Sequence, residues 1–265
     1  MTAKKPSVRY RLLRRWALQS RRLQSGMRRI ERGLESWTGA VLNRALQDTE
    51  KEDLSIELYD ASFRAENDHH GLYAWETQWF ERRLPSPPAS ILIGAAGAGR
   101  EASALRELGY QVRAFEPSAS AFRLCALTLG AELVDRASYQ DFVGTVLRGE
   151  STPLRLTRET TFDAMLLGWG SFGHVLRRSD RLELLRASDR LVPEGPILLS
   201  LFEPAVRAVT KGIYYTPWGG FLIQPTFEEL EEHAKALNRE VIVSLQSPSS
   251  YATLIPNART PQSLV

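Results

Sequence analysis

Two hydrophobic rhythms divide the chain. Up to about residue 83 the apolar positions recur at helical spacing, and from Ser90 onward short apolar runs alternate with helical patterns. Near the N-terminus Trp16, Leu23, Ile30 and Trp37 fall seven residues apart, with Met27, Leu34 and Val41 as a second seven-residue series between them. That spacing predicts an apolar stripe along a helix running to about residue 46. Leu54 and Leu58, then Leu72, Trp75 and Trp79, predict one or two further helices over 52–83. The segment stops at Leu84-Pro85-Ser86-Pro87-Pro88, a rigid linker into the next element.

The second rhythm predicts strands at Ile91–Ile93, Val112–Phe115, Ala131–Val134, Phe162–Leu167 and Ile197–Phe202. Helices are expected between them, at Glu101–Leu108, Ala119–Leu129, near Gln140–Leu147 and at Ser179–Leu191. Parallel strands need crossovers, so this alternation reads as an α/β fold, a mostly parallel, doubly wound sheet with helices on both faces. The end departs from the rhythm. Thr226 and Glu229 have the spacing of a capping box opening a helix. Val241–Leu245 and Tyr251–Ile255 then lie too close for a crossover and should pair antiparallel. The resulting division is a helical arm over 1–47, a helical lid or linker over 48–88, and an α/β domain over 89–265.

Composition narrows the class. With 43% hydrophobic and 25% charged residues the chain reads as globular, and a lone Cys125 excludes a disulfide scaffold or a cysteine zinc site. No apolar run is long enough for a transmembrane segment, so a soluble, cytoplasmic protein is expected. The net charge of +3 conceals a polarity. Residues 1–32 hold eleven Lys and Arg against Glu31 alone, net +10, which leaves −7 on the rest. Arginines of the arm keep the seven-residue period and flank its stripe. The arm is therefore read either as packed on the body or as the element that binds an anionic partner or mediates self-association.

The chemistry gathers where the second rhythm begins. The first strand enters Gly94-Ala95-Ala96-Gly97-Ala98-Gly99, whose small residues let a ligand approach the backbone ahead of a helix N-terminus. The second strand ends in Phe115-Glu116-Pro117, with a carboxylate 19 residues after Gly97. A carboxylate at that tip accepts hydrogen bonds from both ribose hydroxyls of a nucleoside.

These pieces, with Phe162–Gly168 and Gly195–Ser200 in their order and spacing, resemble the class I S-adenosylmethionine (SAM)-dependent methyltransferases of Rossmann-like fold. The resemblance covers about residues 90–256. It implies a seven-stranded sheet closed by an antiparallel strand pair, and SAM as cofactor. It implies Gly94, Ala95, Gly97, Gly99, Glu116, Pro117, Gly168 and Trp169 as cofactor-binding positions. That family usually has an acid where Ile93 stands and a glycine where Ala95 stands, so the match supports the nucleoside half of the cofactor better than the methionine half. Either another group supplies the missing contact or cofactor binding is weakened.

In the resembling fold the loop Leu167–Val175 lies between cofactor and acceptor, and its sequence looks like that of small-molecule methyltransferases. His174 is the candidate catalytic base; its alternative role is holding backbone carbonyls beneath the loop. Glu66–Trp75 has the makings of a lid, and no metal site is expected from the adjacent His69 and His70. The aromatics of 211–221 suit an acceptor pocket or a core-packing hairpin. The reading is a transferase that methylates a small-molecule or natural-product acceptor. Two alternatives remain at this point: an NAD(P)-dependent oxidoreductase, since Gly97–Ala102 fits G-x-G-x-x-A, and a non-catalytic scaffold with a partner-binding arm.

Overall fold

Period-two alternation decides which side chains each strand sends to which face. In β1 (Ser90–Gly94), Ile91 and Ile93 enter one apolar cluster while Leu92 enters the opposite one. In β4 (Ala164–Leu167), Ala164 and Leu166 join the first cluster, Met165 and Leu167 the second. β5 (Ile197–Phe202) repeats the pattern, with Leu198 opposed to Ile197, Leu199 and Leu201. Both faces of these central strands are therefore apolar, as a parallel sheet covered on both sides requires. The computed structural model describes residues 33–63, 71–157, 159–202, 212–217, 219–244 and 249–257. Residues 1–32, His69, His70, Lys211 and Trp218 lie outside them, so the basic arm and part of the expected lid are not described.

The sheet has seven strands in the order β3-β2-β1-β4-β5-β9-β8. Here β2 is Gln111–Phe115, β3 is Val134–Asp135, β8 is Arg239–Ser244 and β9 is Ser249–Pro256. The first five run parallel, and β9 is antiparallel to both β5 and β8. The expected α/β sheet with its closing antiparallel pair is thus present. β3 starts later than the apolar pattern predicts, because Leu133 N–H turns back to the Gly130 carbonyl and holds 131–133 in a turn.

α4 (Arg100–Glu107) and α5 (Ala119–Leu129) contribute Ala102, Leu105, Cys125 and Leu129 to one face. α3 (Ala74–Arg83) joins them through Trp79 and Phe80, with the Trp79 indole N–H donating to Thr253 Oγ1 at 2.9 Å. α6 (Tyr139–Val143), α7 (Arg178–Leu191) and α8 (Phe227–Ala236) cover the other face. Thr226 caps α8 by accepting from Glu229 N–H at 3.1 Å. The reciprocal half of the expected capping box is replaced: the Glu229 carboxylate turns to Arg181 at 2.6 Å and His233 at 3.2 Å.

Two elements stand outside the sheet. α2 (Asp48–Ser62) and the hairpin β6 (Ile213–Thr216) with β7 (Gly220–Ile223) share a small third core in which Leu54 and Leu58 pack with Tyr215, Phe221 and Leu176. A helix over 33–45, α1, adds Leu42 to that core. The visible end of its seven-residue stripe faces outward instead: Leu34, Trp37 and Val41 are 60%, 67% and 45% exposed.

Candidate functional site

Strands β1, β2 and β4 run parallel and end at one edge of the sheet, with Gly94 in register with both Phe115 and Leu167. Everything the chain places beyond that edge converges on one cleft. Ala95 takes a left-handed backbone, φ 50°, at the position where the resembling family has glycine. Gly97, also left-handed at φ 58°, donates its N–H to Glu116 Oε2 at 2.8 Å. Ser118 N–H donates to Glu116 Oε1 at the same distance. Glu116 is buried, and desolvation raises its carboxyl to about 7 against the opposing pull of those two N–H groups.

The three glycines of the turn are not equivalent. A side chain at Gly94 would meet Leu167, Phe115 and Tyr139, each at 2.9 Å, and one at Gly99 would meet Cys125 Sγ at 2.8 Å. These two glycines answer to packing inside the protein. At Gly97 the nearest atom is the Tyr59 hydroxyl at 3.4 Å, so this is the glycine over which the backbone stays approachable.

A cleft of about 160 Å³, partly open to solvent, is lined by Ala95, Glu116, Pro117, Gly168, Trp169 and His174. The structure thus brings six of the nine sequence-derived positions to the cleft wall, while Gly94, Gly97 and Gly99 are not among its lining residues. Trp169 holds a left-handed backbone, φ 46°, and stacks at a tilt on Tyr73, ring centroids 5.3 Å apart. Tyr139 Oη lies 2.7 Å from Ser171 Oγ and donates to the Gly94 carbonyl at 3.3 Å, linking the tips of β1 and β4.

One wall was not foreseen. Glu52, Ser55, Ile56 and Tyr59 of α2 stand at i, i+3, i+4 and i+7 and line the cleft together. The helix is fastened at both ends of that face. Asp60 accepts from Ser118 Oγ at 2.6 Å and Ser120 N–H at 2.7 Å. Buried Glu52 accepts from Leu176 N–H at 2.8 Å and from the Gln140 amide. Midway, Ser55 Oγ accepts from Phe221 N–H at 2.8 Å, and a Cβ on Gly220 would lie 2.4 Å from that oxygen. Only a glycine there lets the hairpin close on α2. Leu54 and Leu58 gave the sequence signal for α2 but mark its hairpin side; the polar face beside them was the signal for the cleft.

His174 meets both a backbone carbonyl and the cleft. Its Nδ1 lies 2.8 Å from the Phe221 carbonyl, and the ring also lines the cleft. Burial holds its pKa below the ordinary histidine value, against that hydrogen bond. Tyr215 and Phe221, candidates for an acceptor pocket, are instead core residues of the hairpin.

No protein-family model and no curated protein sequence matches the chain. Solved structures do match in fold. A SAM-dependent methyltransferase from Bacteroides fragilis, solved with S-adenosylhomocysteine, aligns at TM-score 0.50 and 20% identity, over 70% of this chain and 78% of that one. The sugar N-methyltransferase KedS8 from Streptoalloteichus aligns at TM-score 0.52 and 17% identity, over 73% and 90%. The CcbJ methyltransferase from Streptomyces caelestis aligns at 0.51 and 16%, over 69% and 89%. The chain therefore has the Rossmann-like fold of the class I SAM-dependent methyltransferases.

Proposed function

We propose that this protein is a SAM-dependent methyltransferase acting on a small-molecule acceptor, with Glu116 as the ribose ligand and His174 as the base. The observation that carries the reading is Glu116, a buried carboxylate at the tip of the second strand, beside the one glycine of the turn whose backbone is approachable. Its two oxygens each hold one backbone N–H and keep lone-pair capacity for two hydroxyls. The residues present fit the nucleoside half of the cofactor on those grounds. At the methionine half Ile93, 1% exposed and engaged in the core, offers no polar contact.

SAM supplies an already activated methyl group, so the protein's share is to orient, to exclude water and to receive a proton. α2 walls one side of the cleft, and the β6–β7 hairpin backs α2 through Ser55 and Phe221. His174 donates Nδ1–H to Phe221, which leaves Nε2 with its lone pair to accept a proton from the acceptor's O–H or N–H. Its lowered pKa keeps the ring neutral, the form a base needs.

Calorimetric titration with SAM, S-adenosylhomocysteine and NADH tests the reading. Micromolar binding of the two adenosyl ligands and none of NADH is expected. Binding of NADH alone would make the chain an oxidoreductase, and binding of none of the three would leave a scaffold. Among the described residues no helix is long and apolar enough to cross a membrane.

A further inference from the structure

α2 carries Glu52 into the cleft wall with 5% of the residue exposed. Its two oxygens accept from the Leu176 N–H at 2.8 Å and from the Gln140 amide, both neutral donors. Those two bonds use half of the about four lone-pair positions that a carboxylate has. Among the described residues no Lys, Arg or His forms an ion pair with it. Burial raises the carboxyl, Asp180 adds to the rise, and Arg177 opposes it less than the Leu176 N–H does. A buried carboxylate without a counter-ion is unfavourable, and a cation arriving beside it offsets that penalty.

The rest of the wall has the same polarity. Glu116 is its second acid, and the described residues that line the cleft include no Lys or Arg. Burial lowers the pKa of His174 and keeps its ring neutral at pH 7. Tyr59, Tyr139 and Trp169 add aromatic rings, whose faces attract organic cations. Such a cleft repels an anionic guest and gives a neutral alcohol no ionic partner, whereas an ammonium gains a charge-assisted hydrogen bond. Glu52 also reaches the loop of the proposed base, since Leu176 lies two residues beyond His174.

We propose that the acceptor is a small organic amine whose ammonium pairs with Glu52. The assignment rests on the methyltransferase reading above and deepens it by naming the substrate class. That reading gives Glu116 to the ribose, which leaves Glu52 as the acid for the acceptor.

Three six-membered rings of similar size test the pairing in NMR titrations at pH 7: cyclohexylamine, cyclohexanol and cyclohexanecarboxylate. Each is titrated into protein saturated with S-adenosylhomocysteine and into protein without it. The amine should bind about tenfold or more tighter than the alcohol, as expected for a hydrogen bond to a charged group, and the carboxylate weakest of the three. The Leu176 amide resonance should move with the amine. Glu52→Gln, which keeps an acceptor for the Leu176 N–H, should bring the amine down to the affinity of the alcohol. Equal or tighter binding of the alcohol, or a preference for the amine that survives in Glu52→Gln, overturns the assignment; S-adenosylhomocysteine binding in that same protein leaves the methyltransferase reading standing. If S-adenosylhomocysteine does not bind while the amine preference is present and is lost in the variant, the methyltransferase reading falls and the cation site at Glu52 stands. Should thermal melts show the variant unfolded, the wild-type order and the Leu176 shift decide: amine tightest with the shift upholds the pairing, and any other order or an unmoved Leu176 overturns it.

Discussion

The Nδ1 atom of His174 and the carbonyl oxygen of Phe221 stand 2.8 Å apart, joining the loop after β4 to the hairpin packed against α2. A carbonyl only accepts, so Nδ1 carries the proton and the tautomer is fixed. Nitrogen NMR should find a neutral ring with a bare Nε2 at pH 7 and a pKa below 6.5. Because the folded value is depressed, the ring's contribution to stability is present above pH 6.5 and is lost as the pH falls through the folded value. With an acceptor in hand, His174→Asn should lower turnover by about 10²–10⁴-fold. A fall of less than tenfold with an unaltered pH profile would leave His174 a purely structural group.

Glu116 makes a second pH prediction with the opposite sign. Its carboxyl is raised to about 7 by burial, so it favours the fold most below pH 4.5, and that contribution disappears as the pH rises through 7. A ribose diol donates to the ionised form, so ligand binding should release a proton. Affinity for S-adenosylhomocysteine should climb between pH 6 and 8, and the binding heat should change with the ionisation enthalpy of the buffer. Glu116→Ala should weaken binding by about 10- to 100-fold and flatten the pH dependence. A flat profile in the wild type removes the ribose assignment.

Glycines of the turn separate by variant. Gly97→Ala puts a side chain on a left-handed residue facing only the Tyr59 hydroxyl, a strain of about 1–2 kcal/mol. Its main effect should be on ligand affinity. Gly99→Ala carries the same strain and drives its methyl to 2.8 Å from Cys125 Sγ, adding about 1–3 kcal/mol of overpacking. Urea melts should therefore rank Gly99→Ala as the less stable protein. The reverse ranking would place the ligand approach at Gly99.

Local signals made the sheet legible. Ile91–Ile93 and Ile197–Leu199 are apolar on both faces, and Thr226 caps the helix that follows it. Glu116 and His174 were legible because each sits at a strand tip or in the loop beyond it. The α2 wall was not, because Glu52 and Tyr59 meet Leu176 and the neighbourhood of Gly97 across more than 35 residues of chain, and nothing local marks such a contact. The same holds for Arg100 and Glu76, whose pairing spans 24 residues.

Glu52 tests where the cofactor half of the cleft ends. It precedes Tyr59 by seven residues, about 10 Å along the helix, and is bound to Leu176, two residues beyond His174. On the proposed reading, that is the acceptor side. Glu52→Ala strips Leu176 N–H of its buried partner and should destabilise the fold by about 1–3 kcal/mol in urea melts. Burial raises the Glu52 carboxyl, so its favourable contribution is greatest below pH 4.5 and is lost as the pH rises through the folded value. The stability gap between wild type and Glu52→Gln should therefore shrink from pH 5 to pH 8. Affinity of Glu52→Gln for S-adenosylhomocysteine should match the wild type, while acceptor binding falls. A tenfold loss of S-adenosylhomocysteine affinity in that variant would move Glu52 to the cofactor half.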